Sequence, residues 1–123
     1  MLKRFAIGLV LAFLVALPAT AQDYERGFVA AKYGDYETAF REWRPLAEQG
    51  DAVAQHNVGV LYLKGWGVPR DNVLAYMWFT LAAMIESNPI DRYRAIAARR
   101  MTPTQIVKAQ KLARQWWAKH LKA

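Results

Sequence analysis

The 123-residue sequence contains few side chains with the chemistry of a reaction centre. Its two histidines, His56 and His120, fall on different predicted helices with no carboxylate cluster beside them. A metal site needs more converging ligands than that, so both read as ordinary helix residues. Asp35 and Asp71 stand 36 residues apart, each just ahead of a predicted helix. There an aspartate accepts hydrogen bonds from the unpaired first amides, so capping accounts for both without acid-base chemistry. Ser87 is the single serine and lies beside a helix start. Gly65-Trp66-Gly67 lacks the Lys-Ser/Thr ending and the preceding strand of a phosphate cradle. Cysteine is absent, which removes thiol chemistry and disulfides together. The sequence therefore predicts no catalytic residue, no cofactor, no metal ligand and no enzyme.

The amino terminus reads as an export signal. Lys3 and Arg4 precede an apolar run from Phe5 to Leu17, and Pro18 leads into Ala19-Thr20-Ala21. The run is thirteen residues long, short of the roughly 18 needed to span a bilayer, so cleavage near Ala21 is expected. Residues 22–123 would then form one domain, periplasmic or secreted, held together by packing alone. The net charge of +7 is unevenly placed: residues 22–91 hold six basic and ten acidic side chains, whereas residues 92–123 hold nine basic and none acidic. Such polarity attracts an anionic partner. Export argues against nucleic acid as that partner.

Apolar residues recur at three and four positions, and helix stop and start signals punctuate the chain, which predicts an all-α protein. Six helices are expected. The first spans about 24–33, burying Phe28, Val29 and Ala31, and ends at Gly34. Asp35 caps the second, to about Gln49, with Pro45 inside it kinking the helix near Arg41 without breaking it. Gly50-Asp51 repeats the device before the third helix, to about Lys64. Gly65 to Arg70 is a loop, with Gly65 and Gly67 permitting a tight connection. Asp71 starts the fourth helix, to about Glu86, whose inner side carries Ala75, Trp78, Phe79, Ala82 and Ala83. Asn88-Pro89 opens the fifth, to about Arg100. Thr102 and Gln105 form a capping box for the last, to about His120.

Superposing Asp35 on Asp71 brings Ala39 onto Ala75, Phe40 onto Tyr76, Trp43 onto Phe79 and Ala47 onto Ala83, all at an offset of 36. A period of this size means stacked helical hairpins, here about three. Beside the period the chain carries Gly34-Asp35-Tyr36, Leu46-Ala47-Glu48-Gln49-Gly50-Asp51-Ala52, Ala54-Gln55, Leu61-Tyr62, Gly65-Trp66-Gly67-Val68 and Trp78. This pattern resembles the Sel-one-like repeats, relatives of the tetratricopeptide repeats. The third unit departs from it, with Glu86-Ser87-Asn88-Pro89 where Gly50-Asp51 would recur, as a terminal capping unit does. The resemblance implies a right-handed α-α superhelix that mediates protein assembly, often around the bacterial envelope or in signalling complexes. The partner is then expected on the surface around the third and fourth helices, through Gln55, Tyr62, Trp66, Arg70 and Tyr76.

The last helix is amphipathic. At 100° per residue, Ile106, Ala109, Leu112, Ala113, Trp116 and Trp117 share one face, opposite Lys108, Lys111, Gln115, Lys119 and Lys122. The apolar face is expected to seal the stack. As a rival to a protein partner, Lys108, Lys111, Lys119 and Lys122 could contact an anionic membrane surface or envelope polymer.

Overall fold

The computed structural model describes residues 19–86 and 92–120, with the side chains of residues 19–23 excepted. Among these residues six helices follow one another: α1 (Ala19–Lys32), α2 (Tyr36–Glu48), α3 (Ala52–Lys64), α4 (Asn72–Glu86), α5 (Arg92–Arg99) and α6 (Pro103–His120). Residues 1–18 of the expected leader, which runs to Ala21, and the Asn88-Pro89 helix start lie outside the described residues, and α1 runs on through Ala21. No described helix is long and apolar enough to cross a membrane.

The punctuation works as its chemistry requires. Gly34 and Gly50, with φ of 81° and 96°, each end a helix in the same pair of bonds. Asp35 N–H reaches the Ala30 carbonyl and Gly34 N–H that of Ala31; Asp51 N–H reaches Leu46 and Gly50 N–H reaches Ala47. The residue after each glycine then caps the next helix. Asp51 and Asp71 accept from the Ala54 and Leu74 amides at 2.9 Å. Asp35 accepts from Thr38, and hydrogen bonds from the Thr38 side chain and amide, helped by Arg41, hold its carboxyl below the usual aspartate range. Thr102 and Gln105 exchange both bonds of a capping box. Helix α2 continues through Pro45 without interruption.

Antiparallel neighbours α1 and α2, and α3 and α4, form two hairpins that stack through α2 and α3. In each hairpin an aromatic ring lies on a glycine. A Cβ at Gly27 would stand 2.3 Å from Trp43 Nε1, and one at Gly59 would stand 2.6 Å from the Phe79 ring. The two contacts are made by the 36-offset pair, Trp43 and Phe79, on successive repeats. Trp43 also donates from Nε1 to the Tyr24 carbonyl at 3.1 Å. The fully buried Ala39, Ala47, Ala54 and Ala75 bring the remaining helix faces close. The third pair differs: α5 and α6 both pack on α4 and scarcely on each other.

Two expected burials are reversed. Phe28 and Val29 are 51% and 49% exposed. Among the described residues helix α1 packs chiefly on α2, which it meets with Tyr24, Gly27, Ala30 and Ala31. A helix with one main partner buries one narrow stripe, and Phe28 and Val29 fall outside it.

The glycine contact gives a stability prediction. Gly59→Ala forces the Phe79 ring out of its place and should cost about 1–3 kcal/mol, the usual cost of overpacking, against the small gain in helix propensity. Thermal or urea unfolding measures it; equal or higher stability would mean that the ring moves aside freely.

Candidate functional site

The capped ends leave α2, α4 and α6 side by side along a groove of about 340 Å3. Its floor is apolar: Leu74, Met77 and Trp78 come from α4, Leu112 and Trp116 from α6, and Tyr62 from α3. One rim is polar, formed by Arg44 and Glu48 of α2 and by Gln115, Lys119 and His120 of α6. Met77 and Trp78 are buried because they also belong to the core, and the Trp78 ring meets Trp116 edge-on at 6.2 Å.

Glu48 organises that rim. Its Oε2 accepts from Trp116 Nε1 at 3.1 Å and lies 3.1 Å from His120 Nε2, while its Oε1 accepts from Arg44 Nε at 3.1 Å. His120 stacks on Trp116 one turn earlier, with centroids 4.4 Å apart and planes 9° from parallel, and its Nδ1 lies 2.9 Å from the Trp116 carbonyl. The carboxylate thus ties the end of α2 to the last turns of α6 across 68 and 72 residues of chain. His120 has a defined partner, where the sequence reading gave it none. His56 is held between the rings of Phe79 and Tyr93 as part of the packing. Among the described residues no three of His, Cys, Asp and Glu converge as metal ligands.

The five expected partner contacts separate. Gln55 is fully buried and donates from Nε2 to the Ala47 carbonyl at 3.1 Å, bracing α3 against α2. It is no surface contact: the small residues around it bring the two helices too close for its side chain to emerge. Tyr62 lines the groove, edge-on to Phe40 at 5.5 Å, and burial raises its phenol above the usual range. Trp66 and Arg70 lie in a different concavity, beyond the end of α3. Trp66 stacks on Tyr36 at 4.6 Å. Tyr76 packs against the small cluster around Phe79 and Ala97. Of the four basic contacts, Lys108, Lys111 and Lys119 are exposed on α6, and Lys122 lies outside the described residues. The apolar face of α6 does seal the stack, with Ala109, Ala113 and Trp116 buried.

Sequence reasoning placed the binding surface around α3 and α4, whereas the groove belongs mainly to α2, α4 and α6. It missed Arg44, Glu48, Trp116 and His120 as a group. One local signal was available, since Trp116 and His120 are four apart and so share a helix face. Nothing in the spacing joins them to Glu48.

Residues 52–85, which are α3, its loop and nearly all of α4, match the Sel1 repeat family. Among solved structures the chain is similar to a protective antigen present in uropathogenic Escherichia coli strains that displays an SLR fold. The two share 30% identity with a TM-score of 0.72 over 85% of this chain and 26% of that one. The chain thus spans about a quarter of the length of that antigen. No curated protein matches it.

Glu48→Ala removes three interactions from a half-exposed carboxylate, and should cost about 1–2 kcal/mol, the lower part of the range for charge-assisted bonds. Amide hydrogen exchange should rise in residues 113–120 and not in α4. Uniform acceleration across both helices would show that Glu48 does not specifically anchor α6.

Proposed function

We propose that this chain, which is a Sel1-like repeat protein, serves as an exported protein-binding scaffold of the bacterial envelope whose partner lies in the groove between α2, α4 and α6. The Sel1-like fold is generally a protein-interaction scaffold, and the observation that carries the reading here is the composition of the groove. Leu74 and Leu112 are partly buried side chains beside an apolar floor, with Arg44, Glu48 and Lys119 at the edge. An apolar centre with a charged rim is the usual anatomy of a protein interface. The size suits several side chains of one helix or extended segment. The envelope location rests on the sequence alone: two cations, a short apolar run and Ala19-Thr20-Ala21.

A second reading has its own observation. Lys108 and Lys111 are exposed on α6, and no acidic residue occurs from residue 92 onward. This outer face suits an anionic lipid surface or polymer, reached without disturbing the sealed inner face.

Crosslinking in intact cells should capture a protein with the wild-type chain, and Leu74→Glu should abolish that crosslink while leaving the circular-dichroism spectrum unchanged. Retention of the same partner by Leu74→Glu excludes the groove. Charge reversal at Lys108 and Lys111, which lie outside the groove, should leave the protein crosslink intact and remove binding to anionic vesicles at low salt; undiminished vesicle binding sinks the second reading.

A further inference from the structure

A second concavity, of about 300 Å3, lies where α3 ends and α5 crosses it. Three cations line it: Lys64 from the last turn of α3, Arg70 from the loop and Arg100 from the end of α5. No acidic residue is in its lining. The walls are Trp66, Tyr93 and Ile96, and the two rings are 39% and 37% exposed. Gly65 shapes the site: a Cβ there would stand 3.1 Å from Arg70 Cβ, so its absence lets the loop draw Arg70 back over the helix end.

The cations are not accounted for by the helix end beneath them. Exposed carbonyls at a helix C-terminus attract positive charge, but here most have other partners. The Leu61 carbonyl accepts from Gly65 and Trp66 N–H, and that of Tyr62 from Asp71 N–H. Among the described residues the Leu63 carbonyl alone draws on a cation, through Arg100 Nη1 at 3.5 Å. Lys64 Nζ rests 4.6 Å from the Trp66 ring centre. Among the described residues Arg70 has neither a hydrogen bond nor an ion pair, although an arginine fork carries five donors.

We propose that this cleft binds an acidic peptide segment of a partner protein, with a carboxylate on Arg70 and Arg100 and an adjacent apolar side chain against Trp66 and Tyr93. An inorganic anion would use the cations and leave the aromatic walls idle. A carboxylate matches the planar fork of arginine bidentately, and a neighbouring aromatic or aliphatic side chain occupies the rest of the volume. The site is separate from the groove and does not depend on the occupant of that groove.

The test is a two-dimensional NMR titration of the full chain with a capped peptide in which two glutamates flank a phenylalanine, beside its glutamine counterpart. Saturable shifts are expected for the Trp66 indole N–H and for amides of residues 63–66 and 93–100. Affinity should fall by about tenfold or more for the glutamine peptide and for the Arg70→Gln variant, the loss of one charged contact. Arg70→Gln leaves the Arg100 bond to Leu63 in place, so its spectrum should otherwise match the wild type. Leu74→Glu, in the groove, should bind the acidic peptide normally. Absence of saturation, equal affinity for the neutral peptide, or shifts confined to the groove would each overturn the proposal. So would inorganic phosphate, or vesicles containing phosphatidylglycerol, occupying the cleft more tightly than the peptide, since the ligand would then be a phosphate or headgroup.

Discussion

The contact of a large ring with a bare glycine backbone sets the geometry of the stack. Trp43 lies on Gly27 and Phe79 on Gly59, each so close that no Cβ fits between them. A close approach of this kind fixes the separation and rotation of the two helices in a hairpin, because the ring has one cavity to enter and the glycine has no side chain to yield. The Trp43 Nε1 bond to the Tyr24 carbonyl adds direction to the first of these contacts. The buried alanines extend the same principle along the helix faces. No one hairpin buries enough surface to stand alone, so accurate spacing within a hairpin becomes accurate stacking between hairpins.

Backbone chemistry at the helix ends does complementary work. A left-handed glycine followed at once by an aspartate ends one helix and starts the next within three residues, with the carbonyls of the first and the amides of the second satisfied. This keeps the connections at Gly34 and Gly50 short and forces antiparallel packing. The third pair lacks the device at the end of α4, and its two helices pack on α4 individually. The loss of regular pairing has a consequence: α6 is free to reach back across α4 to α2, where Glu48 receives Trp116 and His120.

That return creates the groove. A regular third hairpin would continue the stack outward, whereas α6 turns inward and walls a groove whose opposite side is α2. Charge follows the same division. Lys108 and Lys111 are exposed on α6 outside the groove, while the carboxylate on the groove rim, Glu48, pairs with Arg44 and receives Trp116 and His120. The molecule therefore offers chemically different surfaces on one small scaffold: an apolar groove, a basic helix face and a cleft of cations with aromatic walls.

The sequence by itself determined the helices, their ends and the repeat. Glycine, aspartate, proline and the Thr102 and Gln105 pair act on amides and carbonyls within five residues, so their meaning is local and readable. The 36-residue offset identified Trp43 and Phe79 as equivalents before any contact was known. What the tertiary structure decided was where each residue's surroundings come from. Phe28 looked like core because it is a large apolar side chain on a helix, but α2 covers only one stripe of α1 and Phe28 lies outside it. Gln55 looked like a surface contact because it is polar, but the approach of α2 encloses it. Glu48, Trp116 and His120 lie far apart in the chain, and only the path of α6 brings them together. Side-chain burial and long-range pairing depend on the distance between elements, which is set by the summed packing of rings on glycines and alanines and not by any local pattern.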